Sequence, residues 1–159
     1  MYLTVHSSIG AAIGASTGNP ILAYVFGFFS HLLLDAIPHA EPDQVFNRAF
    51  KNSPRSKKDQ VLFLLIVAID SLAWIFFAYF LISKTAHSSL PMLMGMFGSV
   101  SPDYMFGLGI VTKNKLLLKF DALHTKNHFD IPKHRPGIIK GNLTQLLMFA
   151  LGLSILGIF

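Results

Sequence analysis

Cysteine is absent from this chain, which excludes disulfides, thiolate metal sites and thiol nucleophiles. Any strong metal ligand must therefore be a histidine or a carboxylate. Charge is scarce as well: 13% of the 159 residues are Asp, Glu, Lys or Arg, about half the share usual in soluble domains. No Gly-rich phosphate loop, Gly-x-Ser-x-Gly elbow or dinucleotide fingerprint is present, which removes the common nucleotide-binding and serine-hydrolase classes. The opening MYLTVHSSIGAAIG has no basic residue before its apolar run, so a cleaved signal peptide is not expected.

Apolar sequence is abundant. Hydrophobic residues make up 52% of the chain and mean hydropathy is +0.53, which points to an all-α, polytopic membrane helix bundle forming a single transmembrane domain over residues 1–159. Helices are expected at about 2–17, 20–37, 61–82, 90–111 and 138–159, with basic cytoplasmic loops at 38–60 and 112–137. Most of these segments are long enough, at about 20 residues, to cross a bilayer; the first is short. Gly18-Asn19-Pro20 reads as a turn with proline placed to start the second helix. Gly10 and Gly14 have the small-xxx-small spacing that lets helices approach closely, and a packing role is expected of them.

Basic residues set the expected orientation. All but one of the thirteen Lys and Arg fall between segments two and three or between four and the start of five; Lys84 is the exception. If every segment crosses, the positive-inside rule places the amino terminus and both basic loops in the cytoplasm, and the chain in the inner membrane. The net charge of +5 then reads as this signal plus attraction to anionic headgroups, and no nucleic-acid partner is expected. Lys115 to Ala122 reads as an interfacial helix.

Against that background the ionisable residues inside apolar segments stand out. Asp70 lies in the middle of VLFLLIVAIDSLAWIFFAYFLI, where a carboxylate needs a protein partner. His31 and Asp35 are four apart and share a helix face, with His39 just beyond. Asp103 follows Pro102, which should kink its helix and free a carbonyl one turn earlier. Gly27 to Asp35 and Gly95 to Asp103 form a weak repeat, each with Asp eight residues after Gly, the pattern of paired hairpins about an axis normal to the membrane. In the second loop His124 and His128 repeat the i, i+4 spacing, and His6 opens the first segment. His87 falls in the outer loop, and His134, near Pro132 and Pro136, reads as a loop residue.

On the expected topology His6, His31, Asp35, His39, Asp70, Asp103, His124 and His128 all map to the cytoplasmic half. Carboxylates crowded at similar depth cannot all ionise without a cation between them, so a divalent ion, foremost zinc, is expected on His6, His31, Asp35, Asp70, Asp103, His124 and His128. His39, Asp70 and His124 are the expected catalytic residues. A proton or divalent-cation transporter would use the same set, and a structural metal tying helices together would use part of it.

At these residues the chain resembles the small multi-pass inner-membrane proteins of the LexA-regulated membrane-bound hydrolase-like family. The similar features are His6, the His31-Leu32-Leu33-Leu34-Asp35 helix, Pro102-Asp103 and the His124-Thr125-Lys126-Asn127-His128 box. That family is distantly similar to zinc-dependent phospholipase C and single-strand nucleases. The resemblance implies phosphoester hydrolysis by metal-activated water, on a lipid or lipid-linked phosphate at the cytoplasmic interface. The last box departs from the His-Arg-Gly-x-Thr-His-Ser pattern of family members.

Overall fold

The computed structural model describes residues 1–40, 49, 56–85, 89–120 and 137–158. Its elements are α1 (Leu3–Thr17), α2 (Pro20–Asp35), α3 (Lys57–Lys84), α4 (Ser89–Thr112) and α5 (Ile138–Ile155), with a further helical stretch at 115–120. The described residues contain no strand, so the all-α expectation holds.

Local chemistry explains where each helix differs from its expected bounds. Pro20 stands in the first turn of α2, and the Asn19 side chain accepts from the Ile21 and Leu22 N–H groups at 2.9 and 3.1 Å, which caps the helix. The same helix ends at Asp35 rather than residue 37, because Pro38 disfavours helical backbone at the residue before it. α3 starts four residues earlier than Val61. Ser56 caps it by accepting from Asp59 N–H at 3.2 Å, and Asp59 places a negative charge in the first turn, where the helix dipole favours it. α5 stops at Ile155 because Gly157 turns to φ 69°. There its N–H reaches Ser154 O at 3.0 Å and Ile158 N–H reaches Leu153 O at 3.1 Å, a left-handed closure that glycine accepts without strain.

α1 lies at the centre. It packs on α2, α4 and α5 and touches α3 more lightly, while α4 lies along both α1 and α2. Small residues make this possible. A Cβ at Gly95 of α4 would run into the Gly10 carbonyl of α1, and one at Gly27 of α2 would run into the Gly95 carbonyl, so three backbones meet where no side chain intervenes. Gly14 lies likewise against Pro91 and Met92, and Gly152 of α5 against Ser8. Beyond this junction Ala11, Ala12, Ala78, Leu81, Met92, Met96, Leu153 and Leu156 form an apolar core.

α3 behaves differently. Only Ala78 and Leu81 of its 28 residues are buried, with Phe63, Ile66, Asp70, Ser71, Trp74 and Phe77 half-buried. Those positions trace one stripe at three- and four-residue spacing. The remaining faces expose Ile69, Phe76 and Tyr79. At ~1.5 Å per residue the helix exceeds the ~30 Å hydrocarbon thickness, and it is long and apolar enough to cross a membrane. α2 and residues 139–155 are apolar but shorter. Length and composition thus support one crossing helix, and a five-span layout goes beyond them.

α4 runs through Pro102. Proline cannot donate to the carbonyl four residues back, and that acceptor, Gly98 O, is taken by the Ser101 hydroxyl at 2.8 Å.

Candidate metal centre

The antiparallel arrangement of α1 and α2 brings the start of one helix to the end of the other, so His6 meets His31 and Asp35. One ligand atom from each lies within 4.8 Å of the others, and this group could hold a metal ion. All three side chains are buried. The two imidazoles stack with centroids 4.0 Å apart and planes inclined by 22°.

Hydrogen bonding fixes which atoms face the centre. His31 Nδ1 lies 2.7 Å from the Ser99 carbonyl. A carbonyl only accepts, so Nδ1 carries a proton and Nε2 is the atom turned toward Asp35 Oδ2, 2.9 Å away. An imidazole nitrogen and a carboxylate oxygen at that distance hold either a proton or a cation between them. Backbone anchoring of the second ring nitrogen is also how metal-bound histidines are usually oriented. His6 gives a second sign. Neither of its ring nitrogens has a hydrogen-bond partner among the described residues, although Nε2 is 3.1 Å from Asp35 Oδ1. Buried polar atoms left without partners are rare in native folds, and a metal ion would satisfy this one.

Other groups border the cluster. Asp103 Oδ1 is 3.7 Å from His31 Nε2, with 31% of its side chain exposed, so it marks the accessible flank. The repeat noted above is thereby given a spatial meaning: its two aspartates, on packed helices α2 and α4, bracket one imidazole. His39 Nε2 is 3.8 Å from Asp35 Oδ1, and its Nδ1 donates to Ile37 O at 2.7 Å. The Met1 ammonium donates to Asp35 Oδ1 at 2.9 Å and to His39 Nε2 at 2.8 Å.

Asp70 is engaged elsewhere. Its Oδ2 accepts the Leu3 N–H at 3.0 Å, at the start of α1, and it is not one of the three converging residues. His124, His128, His87 and His134 lie outside the described residues. Sequence reasoning overlooked Gln145, which is 3% exposed; its Oε1 accepts Tyr2 N–H at 2.8 Å and its Nε2 donates to Ala40 O at 3.0 Å. A lone amide pair, Asn142 and Gln145, in an otherwise mostly apolar helix was the available signal. Compared with protein-family models, curated proteins and solved structures, the chain gives no match.

Proposed function

We propose that this protein is an integral-membrane, metal-dependent hydrolase acting on a phosphoester, with a lipid or lipid-linked phosphate as substrate. The observation that carries the reading is the convergence of His6, His31 and Asp35, two imidazoles and a carboxylate. Hydrolytic zinc sites use such a three-ligand set and leave a further position open, and zinc is the ion we assign. When bound, it would supply Lewis acidity and a more acidic water at neutral pH.

The chain's own residues have distinct tasks in this scheme. Ser99 O orients His31 through Nδ1, so that Nε2 is directed inward. Asp35 turns Oδ2 toward His31 and Oδ1 toward His6, with the Met1 ammonium also donating to Oδ1. Asp103 borders the exposed flank, where substrate approaches, and His39 stands behind Asp35, its Nε2 3.8 Å from Oδ1. A transport path would need polar groups continuing along the bundle. Instead, the far end of α1 packs into the apolar core of Ala11, Ala12, Met92 and Leu153, which favours hydrolysis.

The membrane setting follows from the exposed apolar surface. We read α3 as crossing the bilayer, with α1, α2, α4 and α5 completing a five-helix domain. The amino terminus and the basic loops then face the cytoplasm, and the cluster lies below the inner headgroups.

The test is phosphodiester hydrolysis by purified protein in lipid nanodiscs. Activity should appear with zinc, vanish with chelator and fall at least about 100-fold in His31→Ala and Asp35→Asn. Chelator-insensitive hydrolysis, or full activity in both variants, would overturn the reading.

A further inference from the structure

Helix starts expose N–H groups that have no partner within the helix, and at the head of α1 those groups are met from outside. Tyr2 N–H goes to Gln145 of α5 and Leu3 N–H to Asp70 of α3. The capping residue Tyr2 contributes no side-chain bond of its own. We propose that Asp70 and Gln145 are positioning residues that together hold the first turn of α1 so as to deliver His6 into the cluster, and that neither coordinates the ion.

Three observations support this. First, the His6 N–H bonds to Tyr2 O at 3.3 Å, so the imidazole rides on the turn that the two side chains hold. Second, the ring is lightly held: neither nitrogen makes a hydrogen bond of good geometry among the described residues, and beyond the 3.1 Å approach of Nε2 to Asp35 Oδ1 its place is set by the backbone and by stacking on His31. A small shift of the turn therefore moves the ligand atom directly. Third, the Asp70 carboxylate faces the positive end of a helix, where negative charge is stabilised without a metal.

Gln145 extends the arrangement, because its Nε2 bonds Ala40 O, next to His39. The start of α1 and the segment carrying His39 are thus fastened to one side chain. The bonds from Tyr2 N–H and Leu3 N–H are both partly buried, and a buried N–H left without its acceptor is costly.

This inference rests on the metal reading, and the experiment separates the two. Zinc affinity is measured on the full chain in nanodiscs by competition with a chromophoric chelator, beside hydrogen exchange of the first turn of α1 in zinc-free protein. His6→Ala should lose zinc binding by more than about 100-fold with unchanged exchange. Asp70→Ala and Gln145→Ala should lose about 10- to 100-fold, the usual effect of removing a group that orients a ligand, and should exchange faster. Asp70→Asn, whose amide oxygen still accepts the Leu3 N–H, should stay within about threefold of the parent in affinity and match its exchange.

Loss of zinc in Asp70→Asn as complete as in His6→Ala would make Asp70 a ligand and overturn the proposal. Parent-like affinity in both alanine variants would overturn it as well. If Asp70→Ala does not fold, Asp70→Asn and Gln145→Ala decide the matter. A parent that binds no zinc removes the metal reading; the positioning role then falls if the first turn exchanges equally in every variant.

Discussion

α1 carries small and polar residues and is enclosed by its neighbours, whereas α3 carries Leu, Ile and Phe and presents most of them outward. His6, Ser7, Ser8, Gly10 and Gly14 are buried, while Ile69 is 66%, Phe76 70% and Tyr79 73% exposed. In water this distribution would be unfavourable, because apolar area gains by burial at about 25 cal/mol per Å² and large exposed apolar patches mark an interaction surface or a membrane. In lipid it is the expected one. Helices there associate through close backbone approach and polar contacts rather than oily side chains, so on the membrane reading proposed above the helix of small residues would be the hub and the oiliest the periphery. The buried His6, His31 and Asp35 accordingly lie on the enclosed helices α1 and α2, and Asp70 of α3 lies on that helix's half-buried stripe.

The contrast can be broken most severely at the hub. Gly95→Leu should leave little folded protein, a destabilisation of at least ~3 kcal/mol, the upper end for overpacking, because the atoms it meets are the Gly10 backbone. Gly107→Leu, on the same helix with nothing within 4 Å of its Cβ, should fold as the parent does. Size-exclusion profiles in detergent compare the two; equal behaviour would mean that the close approach is not needed.

The periphery gives the next largest effect. Phe76→Arg should reduce membrane insertion of α3 in a glycosylation-mapping assay by an amount equivalent to ~2.5 to 3.5 kcal/mol. If this face met water, the change would stay within about 0.5 kcal/mol.

The smallest effect belongs to the turn joining α1 to α2. Asn19→Ala removes a cap and should lower stability by ~1 kcal/mol, read as a modest fall in melting temperature with zinc affinity unchanged. A large loss of zinc there would mean that the apolar end of α1 is coupled to the site.

Much of this architecture is legible in the sequence because its causes are local. Hydropathy marks each helix, Gly18-Asn19-Pro20 marks a turn, and i, i+4 spacing puts His31 beside Asp35. The helix ends explained above are set by single residues, Pro38, Ser56 and Gly157, whose influence a hydropathy average conceals. The site is legible only in part. Asp70 announces itself by its charge in an apolar run, yet its partner is the Leu3 backbone N–H, a group that nearly any residue supplies. The Ser99 carbonyl that orients His31 is equally silent, and Gln145 is a neutral side chain whose importance arises from contacts across 143 positions of chain. Long-range backbone partners leave no spacing to read.

The central claim is that His6 and His31 lie with Asp35 around one divalent ion. X-ray absorption at the zinc edge of the loaded protein tests it most directly. The account predicts stoichiometric zinc with only nitrogen and oxygen neighbours at ~2.0 to 2.2 Å, two of them imidazoles, falling to one imidazole or to no bound zinc in His6→Ala. Zinc-free protein, or a shell unchanged in that variant, would contradict it.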